Sequence, residues 1–362
     1  MTATQSTPTQ ATFNPGKAEA FGERLMGILG GGMLSSMVDI GHRAGLFEAA
    51  AEGWATSEQL AAKAGLTERY VREWLGAVTA GGIVEYDKAD DAFFLPPEHA
   101  AMLTGPTGLG PFAVGTTVLA KHIPHVVRVF REGGGVPYSA YGPEFTDAWD
   151  AIGRGAYDTL LIDAYLPLAP GLADRLAAGA RVADFACGTG HVLVLLGRAF
   201  PASTFTGYDL DEHAIARARA EAEGAGLTNV RFEVADVASL DVTTPFDVVF
   251  VFDAIHDQVD PDAVLARIHD ALVPGGLLFM REPHAADTLA ENVANPMMAM
   301  LYSASTLHCL TVSLAHGGAG IGTVFGEGRA RRLLADAGFG EPDLHPAPAN
   351  PFDYVYLAHR PV

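Results

Sequence analysis

The apolar run Phe246-Asp247-Val248-Val249-Phe250-Val251-Phe252 ends in Asp253-Ala254-Ile255-His256-Asp257. Such a run reads as a buried strand. An imidazole at its end has the pKa to take a proton from an alcohol or phenol. The competing role for His256 is structural: capping the helix expected near Pro261, or bonding within its own loop. Asp257 is a candidate partner to orient His256, although neighbouring residues of a strand face opposite ways. Three further acids stand at expected strand ends. Asp184 precedes a Gly-rich turn, Ala186-Cys187-Gly188-Thr189-Gly190. Asp209 closes Gly207-Tyr208-Asp209, 19 residues after Gly190, and Asp236 follows Val230-Arg231-Phe232-Glu233-Val234. Glycines at a strand-to-helix turn let a ligand approach the backbone. A carboxylate just ahead of them suits a ligand with a positive charge. One at the second strand end accepts from both hydroxyls of a ribose, and one at the third accepts from an adenine amine. A dinucleotide competes for this turn, but its GxGxxG fingerprint needs glycine where this chain has Leu193.

The elements that must position these residues follow an alternating pattern from residue 181 onward. Strand-like runs (181–186, 204–210, 230–237, 246–255, 275–282) alternate with amphipathic stretches such as Pro261–Val273. Apolar strands separated by amphipathic helices imply a parallel α/β sheet covered on both faces. A helix over 328–339 and two closing strands, around 343–347 and 352–360, follow a long insertion.

The first hundred residues read differently. Apolar residues at helical spacing through Leu25, Ile28, Leu29, Met33 and Met37 predict a helix, with a second around Leu46 and Phe47. Thr56 and Thr67 are placed to cap two further helices, and residues 83–96 read as two short strands around an acidic turn. Helix, turn, helix and hairpin make a winged helix. Between residues 42 and 104 there are five basic and ten acidic residues, and the second helix has no basic stripe. A dimerisation and lid module therefore fits better than a DNA reader.

The Gly-rich turn and the three acids, in this order and spacing, resemble class I S-adenosylmethionine-dependent methyltransferases. The resemblance is clear over 181–282 and topological over 166–362. It implies a Rossmann-like seven-stranded α/β domain preceded by a mainly helical winged-helix domain. It implies S-adenosylmethionine as cofactor, with Asp184 and the backbone around Ala186, Gly188 and Gly190 holding the methionine end. Asp209 with Leu210 would take the ribose, Asp236 with Val237 the adenine, and Phe252 with Asp253 would floor the site. Ala186 departs from the family, which usually has glycine there; a tight fit is expected.

His256-Asp257 is similar to the His-Asp motif of O-methyltransferases that carry an N-terminal winged helix, in which that histidine is the general base. The stretches 305–318 and 322–339 resemble a group of actinobacterial winged-helix methyltransferases of unassigned substrate. The implied organisation is a disordered tail (1–17), a winged-helix dimerisation domain (18–105), a helical connector (106–165) and a methyltransferase domain (166–362). The implied activity is methylation, at oxygen, of a small hydrophobic or aromatic molecule by a homodimer.

The insertion 284–325 should cover the substrate. Met297, Met298, Met300, Leu301, Tyr302, Leu307 and Leu310 make it apolar and adaptable; His308 and Cys309 lie within it, and Gly317, Gly318 and Gly320 could hinge it. Tyr138, Tyr141, Phe145 and Trp149 could line a pocket or simply pack. The other histidines are scattered, so no metal is expected. A formal net charge of −20 disfavours nucleic acid and anionic membranes. Two cysteines suit a reducing cytoplasm, with Cys187 as a packing residue. The start carries no apolar leader and no stretch spans a bilayer. A different reading is a winged-helix regulator that binds S-adenosylmethionine without turnover.

Overall fold

Period-two alternation in the apolar runs sends successive side chains to opposite faces, and each face finds a cover. The computed structural model describes residues 12–350 and 352–362, in two units, residues 1–100 and 101–362.

In the first unit a helix, Pro15–Arg43, starts where Asn14 accepts a hydrogen bond from the Lys17 N–H at 3.1 Å. Residues 1–11 of the expected tail lie outside the described residues. Helices Leu46–Ala51, Ser57–Ala64 and Glu68–Ala80 follow, then a hairpin of β1 (Glu85–Asp87) and β2 (Ala92–Phe94). Thr56 and Gln59 form a reciprocal capping box. Thr67 starts its helix without a side-chain cap bond. Instead Glu68, in the first turn, accepts from Ser57 and Arg72. Phe47, Leu60, Leu75 and Leu95 are fully buried, and Trp74 meets Phe47 edge-on while donating to the Met37 carbonyl. The long helix keeps Phe21, Met26, Leu29 and Met33 exposed, by 56 to 75 %.

The second unit is built on β3 (Arg181–Phe185), β4 (Thr204–Asp209), β5 (Val230–Val234), β6 (Phe246–Phe252), β7 (Leu272–Pro283), β8 (Asp343–Pro346) and β9 (Asp353–His359). They form one seven-stranded sheet in the order β5-β4-β3-β6-β7-β9-β8. The first five are parallel; β9 runs antiparallel between β7 and β8. This is the Rossmann-like arrangement that the sequence implied. Val248 and Phe250 pack on one face, Val249 and Val251 on the other, as a doubly covered parallel sheet requires.

Helices Gly110–Ala120, Ile123–Glu132 and Gly142–Leu160 precede the sheet and belong to this unit; Met298–Leu307 and Cys309–Ala315 lie in the insertion after β7. Residues 298–315 are apolar and long enough to cross a bilayer by composition. They are two helices broken at His308, and nearly half of the stretch is buried in the unit. Gly135 lies so close to the second of these helices that a Cβ there would stand 1.9 Å from the Thr311 carbonyl oxygen. The next residue donates its N–H to Thr311 Oγ1 at 2.8 Å.

Gly190 opens the helix after β3 at φ 70°, and a Cβ there would come within 2.3 Å of the buried Phe232 ring. Gly190→Ala should therefore combine overpacking, about 1–3 kcal/mol, with left-handed strain of about 1–2 kcal/mol. Chemical denaturation should show the loss; an unchanged midpoint would contradict it.

Candidate active site

The strand order reverses at β3, and the crevice beyond the carboxyl ends of β3, β4 and β6 is where an open α/β sheet takes a ligand. Asp184 sits there, 2 % exposed, with Oδ1 lacking any hydrogen-bond partner. Burial first, and the Asp209 carboxylate second, hold its pKa well above the carboxylate range. An acid in that setting gains from an incoming cation. The turn after it is left-handed at Ala186, Gly188 and Gly190, with φ of 61°, 53° and 70°. A Cβ on Gly188 would meet nothing within 4 Å, so that side of the turn is open. Gly188 donates its N–H to Asp209 Oδ2 at 2.7 Å, and Asp211 donates to Oδ1 at 2.9 Å. Asp209 is thus fixed by backbone and keeps lone pairs to spare. Leu210 is exposed beside it. Asp236, also exposed, accepts from the Ala238 N–H, and Val237 is buried with Tyr208 and Phe185.

Phe252 closes β6 with its ring 5.5 Å from Tyr157. Asp253 follows at φ 53°. It accepts from Arg281 through Oδ2, while its Oδ1 is buried and unpartnered. Arg281 is itself buried, 5.2 Å over the Tyr157 ring and 3.3 Å from Asp353.

His256 does not lie on the strand. It sits in a tight turn, Ile255–Asp257, just beyond β6. Its Nδ1 is 2.5 Å from Oε2 of Glu282, which has no exposed surface. Glu282 Oε1 accepts from the N–H groups of Ala254 and Ile255 at 3.1 and 2.7 Å. The carboxylate that orients His256 is therefore Glu282, and the expectation that Asp257 might do so is corrected. Both residues lie in that turn, and the Asp257 carboxylate accepts from the Gln258 side chain at 3.4 Å. Burial pushes the Asp257 pKa up to about 7. Burial opposes charge on His256, but the Glu282 carboxylate and the Cys309 side chain together outweigh it and hold the imidazole well above its usual range. The sequence offered one signal for Glu282 that was missed: Arg281-Glu282 places two charges together in a strand covered on both faces.

Helix Gly142–Leu160 ties the Gly-rich turn to its surroundings. Asp150 accepts from Thr189 Oγ1 at 2.6 Å, and from Arg154 and Arg217. Arg154 also reaches Glu221 at 2.9 Å, and His191 bonds Glu221 and Asp158. Thr146 donates to Asp211 at 2.7 Å. Cys187 is in the turn, and burial pushes its thiol well above the usual range, in keeping with packing.

Residues 32–105 match the model of the Rv2258c-like winged HTH domain, and residues 176–338 match that of the methyltransferase domain. The two matches place a winged HTH domain ahead of a methyltransferase domain. Among curated proteins it resembles trans-aconitate 2-methyltransferase of Deinococcus radiodurans, 34 % identical over 120 residues, 32 % of this chain and 44 % of that one. The chain thus spans less than half the length of that relative. It is 27 % identical to mouse acetylserotonin O-methyltransferase over 306 residues, 78 % of this chain and 77 % of that one. The structure of human N-acetylserotonin methyltransferase in complex with S-adenosylmethionine has the same fold, with a TM-score of 0.68, 16 % identity, and 98 % and 100 % of the two chains covered.

S-adenosylmethionine is the cofactor of such a domain, and the residues present fit it. Asp184 offers an unpartnered buried oxygen for a positively charged group, the turn at Gly188 is open, and Asp209 keeps acceptor capacity for hydroxyls. Asp184→Asn should weaken S-adenosylmethionine binding by about 10–100-fold, the range for a lost hydrogen bond to a charged group. Titration calorimetry measures this; an unchanged Kd would remove Asp184 from the site.

Proposed function

We propose that the protein transfers the methyl group of S-adenosylmethionine to an oxygen of a small hydrophobic or aromatic molecule, with His256 as general base. The observation that carries this reading is the His256–Glu282 pair, buried at the carboxyl end of β6. The cofactor supplies an activated methyl on a sulfonium. The chain's own residues must position the acceptor and remove its proton. Glu282 is fixed by two backbone N–H groups and so fixes the imidazole. Asp184, Asp209, Asp236 and Asp253, with the turn at Ala186 to Gly190, are the residues assigned to the cofactor. Asp257 is left without a part in orienting the base.

A base must be neutral, and Glu282 raises the His256 pKa. Activity should therefore be present above that raised pKa and fall as pH drops through it. In Glu282→Gln the counter-charge is gone, and burial, which lowers an imidazole pKa, is opposed only by the Cys309 side chain. The acidic limb of the rate profile should then move to lower pH while the plateau falls. A limb that stays in place would separate Glu282 from the base.

His256→Ala should cut transfer of labelled methyl to phenolic acceptors by on the order of 10²–10⁴-fold, with the S-adenosylmethionine Kd unchanged. Equal rates would sink the base assignment. No transfer by either protein, with cofactor still bound, would favour a regulator that binds the cofactor without turnover.

The helix Pro15–Arg43 supports a second copy as partner, because Phe21, Met26, Leu29 and Met33 are exposed along it; contiguous apolar surface of this kind marks interaction sites. Leu29→Glu with Met33→Glu should shift the protein from dimer to monomer in sedimentation. A wild-type monomer would overturn this. The acidic winged helix argues against nucleic acid as the partner.

A further inference from the structure

Buried side-chain atoms without a hydrogen-bond partner include two pairs in the second unit. One pair, Asp184 Oδ1 and Asp253 Oδ1, lies at the strand ends assigned to the cofactor. The other pair is His308 Nε2 and His122 Nδ1. No role described so far uses these two nitrogens. His308 is 4 % exposed and His122 is 8 % exposed, so solvent does not serve either. Native structures rarely leave such groups unpaired, and a ligand is one means of pairing them.

The two rings belong to one aromatic wall. His308 stacks on Phe145 with centroids 4.1 Å apart and planes 15° apart. Phe145 in turn stacks on Trp149 at 4.3 Å. Tyr141 stands between the imidazoles, 4.6 Å from His308 and 4.3 Å from His122. Its hydroxyl is already used, donating to the Leu307 carbonyl at 2.5 Å. The stack fixes the plane of His308 and hence the direction of its free nitrogen.

His308 occupies the break between helices Met298–Leu307 and Cys309–Ala315. The next residue, Cys309, interacts through its side chain with His256. The wall therefore adjoins the base. Burial holds the His308 pKa down to about 3, and lowers that of His122. Both rings are neutral near pH 7, each with one donor and one acceptor nitrogen.

We infer that His308, backed by His122 across Tyr141, is the polar recognition point of the acceptor site. The acceptor class it selects is a planar aromatic with two oxygen substituents, one facing His256 and the other paired with His308. The inference rests on the reading of His256 as base. A flat ring suits the stacked wall, and a second oxygen satisfies a nitrogen that the protein leaves free. A mono-oxygenated ring would leave it buried and unpaired, which is how a polar site rejects an analogue lacking the matching group.

Binding rather than turnover tests this. Wild type saturated with S-adenosylhomocysteine is titrated calorimetrically with a dihydroxynaphthalene and with the corresponding naphthol. Wild type should bind the diol about tenfold more tightly, the scale of one net hydrogen bond. His308→Phe keeps a flat ring against Phe145 and removes the nitrogen, and should bind the two compounds equally. His308→Gln restores a hydrogen-bonding group and should keep much of the preference. His308→Leu replaces the Phe variant if the latter does not fold. The inference is overturned by an equal preference in the Phe or Leu variant, by no preference in wild type, or by no binding of either compound. Labelled-methyl transfer to the diol is followed in parallel. A diol preference without transfer overturns the reading of His256 as base and leaves His308 as the recognition point.

Discussion

A carboxylate with no exposed surface is costly unless donors surround it. Glu282 has three: the N–H groups of Ala254 and Ile255, and the His256 ring. Those bonds force the chain after β6 to turn back over the end of β7 rather than run on as a strand. The left-handed backbone of Asp253 and its bond to Arg281 belong to the same constraint. His256 is thus placed by the second charged residue of a buried strand, not by its neighbours in sequence. Remove the Glu282 charge and the turn loses the group that binds its backbone and its imidazole together.

Much of the architecture was legible. The alternation of apolar runs and amphipathic stretches after residue 180 specified the sheet, and the closing pair of strands specified its antiparallel edge. Asp184 and Asp209 stood out because acids rarely end apolar runs beside a Gly-rich turn. Glu282 did not stand out, because its partners are backbone groups 27 and 28 residues earlier, and no local pattern announces such a bond. Asp257 drew attention by adjacency, which counts in a strand and not in a turn. Ala186 was legible as a departure from the usual glycine. Its φ of 61° shows that alanine is held where glycine is at ease.

Helix Gly142–Leu160 explains why the connector belongs with the sheet. One side of it carries Phe145 and Trp149 into the aromatic wall. Another carries Asp150 to the Gly-rich turn, Thr146 to the loop after β4 and Arg154 to Glu221 in the helix that follows that loop. Asp150 has a side chain only 7 % exposed and serves two arginines and a threonine, so its charge is well compensated. The aromatics were legible as pocket lining or packing, but no pattern in the sequence announced this polar side. Its partners beyond the helix lie 37 to 67 residues away along the chain.

The position of β9 has a consequence for how the domain is made. It is the last described strand in the chain, yet it lies inside the sheet, between β7 and β8. Until residues 353–359 have been synthesised, β8 has no strand to pair with and β7 presents a bare edge of backbone donors and acceptors. Such an edge is a template for pairing with other chains. Arg281 and Glu282 lie on that strand, and Asp353, beside Arg281, arrives with β9. A chain that ends before β9 is therefore at once adhesive and without its finished strand-end cluster.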